Sequence, residues 1–311
     1  MRSEMAGSGP GDPKQAPLVY CIVLNLNGKA LLLETLDSLR RVTYPNFRTV
    51  VVDNGSDDGS QDAVRSQFPD VTLIENGKNL GFGEGNNVGM RYAIAQGADW
   101  VFLLNNDIMV DPAMISEMID VAATDPSIGI LGPKIYYHTS PDLIWYAGGT
   151  INYWTGVIAH RGLRKKDHNQ FDKVQDTDFV TGCAMLMKRE MLDKIGLFDP
   201  IFYPIYSEDV DLSVRAAQAG WRIVYVPKAK LWHKVSAFSG GGMTPFKTRL
   251  KVEHNLIIFK RYAHWYHWLT IPFCIGILTI PFVVKELLKG NFGVITALLG
   301  GFVKAIKRLV S

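Results

Sequence analysis

The sequence predicts an α/β protein with a mostly parallel sheet and an apolar helical tail. Three observations predict it. Short apolar runs in the first 110 residues stop at clusters of Asn, Asp and Gly, each is followed by a stretch of helical periodicity, and a lysine-flanked apolar region closes the chain.

The elements follow in chain order. Residues 1–17 are Gly, Pro and polar residues without an apolar run, so they read as a disordered leader with no secretory signal. Residues 18–24 form a strand ending at Asn25-Leu-Asn27-Gly28, and Leu31, Leu32, Leu36 and Leu39 then repeat at helical spacing. Residues 49–52 make a second buried strand that stops at Asp53-Asn-Gly-Ser, ahead of a helix over 61–68. A third strand covers 71–74. The glycine-rich stretch 79–89 reads as a loop leading into a helix over 90–95, and a fourth strand, 100–104, ends at Asn105-Asn-Asp107. Asp111-Pro112 supplies an acceptor side chain and a proline for the start of the next helix. Beyond it, residues 138–178 show no clear periodicity. Residues 179–187 read as a strand, 208–219 as a helix, and 221–226 as a strand ending at Pro227.

Composition narrows the class of function. Of the 311 residues 47% are hydrophobic and 20% charged, with a mean hydropathy of +0.05, which excludes a disordered or collagen-like chain. Residues 285–311 carry five basic residues against Glu286, leaving 1–284 at −1 in a total of +3. A balanced body gives no footprint for nucleic acid, and a basic, apolar tail suits an anionic membrane surface. Cys21, Cys183 and Cys274 show neither a disulfide nor a zinc spacing, which points to a reducing compartment. Residues 268–284 contain no charge but are interrupted by Pro272 and Pro281, and 292–303 form a second apolar run of 12. A spanning helix needs about 20 apolar residues. The expected arrangement is therefore two short helices lying in the membrane interface, with residues 265–311 holding the protein on the cytoplasmic face; an apolar helical pair packed on the body or in a dimer interface, and a single crossing over 263–284, are the alternatives.

Ligands of an open parallel sheet bind beyond the carboxyl ends of its strands, where Asn25, Asn27, Asp53, Asn105 and Asp107 fall. Asp53 can accept hydrogen bonds from a base or ribose, or serve only its own turn. Asp107 can hold a hard divalent cation that also binds a diphosphate. Ser207-Glu208-Asp209-Val-Asp211 places three carboxylates at a helix start. Favourable interaction with the helix dipole and capping by Ser207 explain one or two of them, and a carboxylate aimed into a cleft is a candidate general base. His233 is either an imidazole ligand or a packed polar residue. The stretch Gly81 to Gly89 matches the dinucleotide fingerprint only loosely and follows the third strand instead of the first. Its amides at a helix start could still cradle a phosphate or ribose.

Five ordered motifs, Val-Val-Asp-Asn-Gly-Ser-Asp-Asp-Gly-Ser at 51–60, Asn-Leu-Gly at 79–81, Leu-Asn-Asn-Asp at 104–107, Ser-Glu-Asp-Val-Asp-Leu-Ser-Val-Arg at 207–215 and Trp-His at 232–233, span about residues 18–240. Together they resemble the inverting family 2 glycosyltransferases of the GT-A fold. The resemblance implies a GT-A domain over 18–240, with a nucleotide half to about 110 and an acceptor half beyond, followed by a linker and tail over 241–311. It implies a nucleotide-sugar donor contacted by Asn25, Asn27, Asp53, Asn79, Gly81, Asn86 and Asn105, and Mg²⁺ or Mn²⁺ on Asp107 and His233. It also implies Asp209 as catalytic base with Glu208 beside it. Trp145, Gly182 and Cys183 are placed on the side of the acceptor, a glycan or lipid-linked glycan. Asn105 stands where the family's Asp-x-Asp motif begins, which removes one charge from the metal site. Gly85-Asn86-Asn87 replaces the common Ala-Arg-Asn and, with Asn25-Leu-Asn27-Gly28, resembles the rhamnosyltransferase-like subset. The Gln-x-x-Arg-Trp motif of processive synthases is absent, which favours transfer of a single sugar. The alternatives are a sugar-1-phosphate nucleotidyltransferase, for which only Lys29 lies near the first turn, and a non-catalytic nucleotide-sugar-binding protein.

Overall fold

A computed structural model describes residues 16–235 and 243–310; the expected leader, apart from residues 16 and 17, and the start of the expected linker lie outside them. The first half alternates as the periodicity predicts: β1 (Val19–Asn25), α1 (Lys29–Leu39), β2 (Phe47–Asp53), α2 (Ser60–Gln67), β3 (Thr72–Glu75), α3 (Gly81–Ala95), β4 (Trp100–Asn105), β5 (Ile108–Val110) and α4 (Met114–Ala122). The second half is β6 (Ile128–Tyr137), β7 (Ser140–Tyr146), β8 (Gly149–Asn152), β9 (Val157–His160), β10 (Gln175–Asp176), β11 (Ala184–Lys188), α5 (Arg189–Ile195), α6 (Glu208–Gln218), β12 (Arg222–His233), α7 (Pro245–Tyr262), α8 (Ile271–Leu288) and α9 (Phe292–Val310).

One sheet of order β10-β12-β6-β11-β4-β1-β2-β3 runs through the protein, with β5 on β12 and β7 on β6. β4, β1, β2 and β3 are mutually parallel, β12 is parallel to β6, and β11 runs antiparallel between β4 and β6. Its two faces bury separate apolar layers, one under α1 and α4 around Leu32, Phe102 and Met114, the other under α3 and α6 around Ile22, Met90 and Leu212. Register pairs Asn25 with Asp53 and Leu24 with Asn105, so the polar strand ends line up along one edge.

Three expectations are corrected. The glycine-rich stretch is helical from Gly81, not from Met90. Its glycines serve helix–sheet contact: a Cβ on Gly85 would lie 2.7 Å from Leu24 Cδ1, and one on Gly89 2.5 Å from Ile22 Cγ2 and 3.0 Å from Val52 Cγ2. Gly89→Ala gains helix propensity worth up to about 1 kcal/mol, but overpacking costs about 1–3 kcal/mol. The expected result is a lower urea midpoint; an unchanged or raised midpoint would contradict the close packing. Second, the strand expected at 221–226 continues through Pro227 to His233, because the proline sits where β12 shifts register against β6 between Val226 and Lys230. Third, 179–183 is a turn segment, and β11 begins only at Ala184.

The tail differs too. Pro272 lies in the first turn of α8, where its missing N–H has no partner to lose, and Pro281 lies inside α8 without ending it. α8 is therefore a single helix of 18 residues and is long and apolar enough to cross a membrane, with a mean hydropathy of 1.9. It leaves Phe273, Leu278 and Ile280 exposed and forms an apolar C-terminal candidate for membrane association. α9 instead buries Val294, Leu298 and Ala305, with Gly301 against Arg249 and Val252 of α7. The second apolar run thus packs on a neighbouring helix instead of lying wholly in an interface.

Candidate active site

The site is built at the carboxyl edge of β1, β2 and β4. Asp53, 1% exposed, accepts from the backbone N–H of Gly55 and Ser56 and the Gln61 amide on Oδ1, and from Asn25 Nδ2 and the Ser56 hydroxyl on Oδ2. Asn25 is fixed in turn by Asn106 Nδ2 at 2.8 Å, and Asn27, at φ 50°, accepts from the Asp57 N–H. Asp53 therefore organises its turn, as the simpler sequence reading has it, and a nucleoside reaching it must replace Gln61 or Ser56. Asn79 accepts from the Gly81 N–H and from Asn54, while Asn86 donates to the Phe82 carbonyl inside α3. Gly81, at φ 78°, has no room for a side chain: a Cβ would lie 2.8 Å from the Pro204 carbonyl oxygen.

Asp107 and His233 meet across the antiparallel pairing of β5 with the end of β12. Both are buried, and His233 Nε2 lies 3.0 Å from Asp107 Oδ1. The two atoms are not in hydrogen-bonding alignment, and neither Asp107 Oδ1 nor His233 Nδ1 has a hydrogen-bond partner. Burial disfavours the His233 cation, but the Cys183 sulfur and the Asp107 carboxylate outweigh it and push the imidazole up to about 10. Trp145 packs edge-on against His233 at 4.7 Å and against His160 at 4.6 Å. It is a wall of the imidazole's pocket. Among the described residues no three His, Cys, Asp or Glu side chains cluster in a way that could hold a metal ion. The orphaned Asp107 oxygen fits a cation whose other ligands come from outside the protein, and the adjacent imidazole could join it only by giving up the proton its neighbours favour.

The acidic start of α6 divides into three roles. Asp209 Oδ2 accepts the Gly182 N–H at 2.8 Å and Oδ1 the Val210 N–H at 2.8 Å. Burial raises its pKa, and these hydrogen bonds and Lys251 oppose the rise. Glu208 is 3% exposed with Oε2 unpartnered, and burial, then the Asp209 charge, holds its carboxyl well above the usual range. Asp211 is fully buried between Arg215 Nε and Arg261 Nη1, each at 2.8 Å, and the Tyr262 hydroxyl at 2.7 Å. It belongs to the scaffold.

Because the folded pKa of Glu208 lies above its unfolded value, the native state holds the proton more tightly. Stability is then full below about pH 4.3 and is lost as pH rises toward the folded pKa. Glu208→Gln should flatten that loss, read as a smaller difference between urea midpoints at acid and neutral pH; an unchanged pH profile would show that Glu208 does not carry it.

The segment before α6 was not legible as functional. Tyr206 and Ser207 both have positive φ, 85° and 70°, a backbone state costing about 1–3 kcal/mol for each non-glycine residue. α7 holds them. His254 Nδ1 lies 3.0 Å from the carbonyl oxygens of both Ile205 and Tyr206, so that nitrogen carries a proton, and Ser207 donates to Asn255 instead of capping α6. α7 lies beyond the boundary expected near residue 240, yet it is fastened to α6 and the residue before it by Asn255, Arg261 and Tyr262.

The mixed sheet, with polar strand ends facing an acidic helix start, defines a GT-A type of glycosyltransferase fold. The chain belongs to the glycosyltransferase-like family 2, whose model matches residues 16–251. It is 30% identical over 255 residues to an N-acetylglucosaminyl-diphospho-decaprenol L-rhamnosyltransferase of Mycobacterium tuberculosis, covering 74% of this chain and 80% of the relative. It is 30% identical over 209 residues to a galactofuranosyltransferase of Mycolicibacterium smegmatis, covering 65% and 66%. A mannosyltransferase from Pyrobaculum calidifontis, solved with GDP-Man and Mn²⁺, superposes with a TM-score of 0.60 at 18% identity, over 95% of this chain and 88% of that one. The rhamnosyltransferase-like motifs of the sequence agree with the first of these relatives.

Proposed function

We propose that this glycosyltransferase moves one sugar, with inversion, from a nucleoside-diphosphate sugar (dTDP-rhamnose or a UDP-sugar) to a hydroxyl of a lipid-linked glycan at a membrane surface. One observation carries the reading. The turn Thr181-Gly182-Cys183 joins the two halves of the chemistry: the Gly182 N–H holds Asp209, and the next side chain, Cys183, lies against His233 of the Asp107–His233 pair. A carboxylate with a raised pKa thus faces a cation site across one backbone turn, the distribution that in-line displacement of a diphosphate requires.

Asp209 accepts the proton of the attacking hydroxyl, and burial tunes it toward that task. Asp107, joined by His233 once its proton is lost, would hold Mg²⁺ or Mn²⁺, which when bound would offset charge on the departing diphosphate. With two protein ligands and Asn105 in place of a third carboxylate, metal affinity depends on the donor's own oxygens. Asn25, Asn27, Asp53 and Asn105 line the nucleoside edge, Asn79, Gly81 and Asn86 shape the turn beside it, and Gly182, Cys183 and Trp145 border the acceptor. The relative named for a diphospho-decaprenol substrate and the exposed apolar α8 support a lipid-linked acceptor.

The test is a thermal-shift screen of nucleotide sugars with Mn²⁺, followed by transfer to a short-chain prenyl-diphospho-sugar. A donor that stabilises the protein and is consumed only with acceptor supports the reading. Pyrophosphate release from a nucleoside triphosphate and a sugar-1-phosphate would instead assign a nucleotidyltransferase.

A further inference from the structure

α8 has two unlike faces. Ile271, Ile275, Thr279, Phe282 and Glu286, three or four residues apart, are buried or half-buried, whereas Phe273, Ile277, Ile280, Val284 and Leu287 on the opposite side are exposed. The helix therefore rests one face on the protein and turns an apolar stripe outward.

Its start is fastened to the turn between β8 and β9. Thr270 donates to the Trp154 carbonyl at 2.6 Å, and a Cβ on Gly156, at φ 71°, would lie 3.0 Å from Ile275 Cδ1. The turn is shaped by Asn152, whose Oδ1 accepts the N–H groups of Trp154 and Thr155, each at 3.0 Å. It presents Trp154, which packs edge-on against His267 at 4.8 Å and is still 54% exposed. Tyr266 bridges Trp154 to Trp265, with ring centroids 5.6 and 5.9 Å away, and Trp265 and Leu269 are 77% and 74% exposed. Exposed apolar side chains are ordinary singly, but a contiguous patch marks an interaction surface. Tryptophan suits the boundary between water and lipid, with its ring in the one and its N–H toward the other.

The far end of α8 is fastened as well. It carries exposed Lys285 and Lys289, suited to anionic headgroups, and the chain then turns into α9, where a Cβ on Gly293 would lie 3.4 Å from Pro245 Cγ at the start of α7. α7 is held to the catalytic domain from Lys251, over the Tyr206 ring at 5.2 Å, to Arg261 on Asp211. A helix of 18 residues is about 27 Å long, so a crossing would carry one end that far from the domain. With both ends tied and one face half-buried, α8 lies along the domain instead.

We propose that α8 lies flat in the surface of a lipid leaflet, with the tip of the β8–β9 hairpin dipping in beside it and the Trp154 and Trp265 rings at headgroup level. The inference deepens the membrane-surface reading above and rests on it. It gives the hairpin a task in transfer: β9 is four residues, about 13 Å, long and ends at His160, against which Trp145 packs at 4.6 Å. The hairpin thus sets the height of the acceptor wall above the lipid that tethers the acceptor.

The experiment uses the full chain, purified in detergent and diluted into sealed vesicles of phosphatidylcholine and phosphatidylglycerol. The unaltered protein should sediment with the vesicles. Trp154→Ala and Trp265→Ala should each weaken that binding on the order of tenfold, because each removes a large ring from lipid. Trp154→Phe should retain most of it. Leu269→Glu should weaken it at least as much as either alanine variant, with an unchanged thermal midpoint in detergent to show an intact fold. In a Cys274→Ser background, Lys289→Cys should react with an impermeant maleimide added outside the vesicles; protection from the reagent would mean a crossing and overturn the proposal. Binding that both alanine variants and Leu269→Glu retain in full would also overturn it and leave the membrane reading standing. Absence of vesicle binding, including the case of a dimer that Leu269→Glu disperses, would overturn both. The glycosyltransferase reading fails separately, when no nucleotide sugar is consumed with any acceptor.

Discussion

Asp209→Asn should lower the rate of sugar transfer on the order of 10³-fold while leaving donor affinity nearly unchanged, because a positioned general base typically contributes 10²–10⁴-fold. The replacement keeps the shape of the side chain and loses the proton acceptor. It also sets an amide NH₂ against one of two donors, the N–H of Gly182 or of Val210, so Asp209→Ala belongs beside it as a control for that conflict. Single-turnover transfer and separate donor titrations check the result. Donor binding that collapses together with the rate would give Asp209 a structural role through Gly182. In the proposed role Asp209 works deprotonated, and burial raises its pKa. The acid limb of kcat/KM should accordingly lie above the ordinary aspartate range, with activity falling as pH falls through it.

Asp107→Ala should cost 10²–10³-fold in rate, on the order seen when a charge-stabilising group is removed from a reaction centre. It should also abolish the stabilisation that Mn²⁺ and a nucleoside diphosphate jointly confer in thermal unfolding. The joint readout matters, since two protein ligands bind a hard cation weakly until the diphosphate completes its shell. Asp107→Ala activity that persists undiminished in excess chelator would remove the metal from the chemistry. His233→Ala should follow the same pattern with a smaller loss, because its imidazole is the neighbour of the carboxylate and not the anionic ligand.

The strand-end positions of Asp53 and Asp107 and the helix-start position of Asp209 were legible because such an end is marked by a few consecutive residues, whereas His233 fell beyond the strand expected at 221–226. The parallel half of the sheet was legible for the same reason. What stayed hidden depends on partners far along the chain. β6 carries Gly132, Pro133 and the buried Lys134, whose ammonium is matched by Asp167 and Asp172, so no apolar alternation marks it as a strand. The bulge at Pro227 looked like a strand end because only the partner strand shows that pairing resumes at Lys230. The glycines of α3 resembled a phosphate loop, since a tight helix–sheet approach and a tight turn ask for the same residue. His254 and Asn255 carried no signal at all: their partners are backbone and hydroxyl groups some 48 or 49 residues away.

The packing of α9 on α7 bears on how the enzyme can be shortened for work in aqueous buffer. Cutting the chain ahead of α8 removes the exposed apolar helix, but it also removes α9, which buries Val294, Leu298 and Ala305 and sets Gly301 against Arg249 and Val252 of α7. The same α7 steadies the Tyr206–Ser207 backbone behind the base. A shortened enzyme therefore trades one sticky surface for another and loosens the backbone ahead of Asp209. Replacing the outward apolar side chains of α8, Phe273, Leu278 and Ile280, with polar ones leaves that brace in place, and it is the route to a soluble enzyme that still turns over.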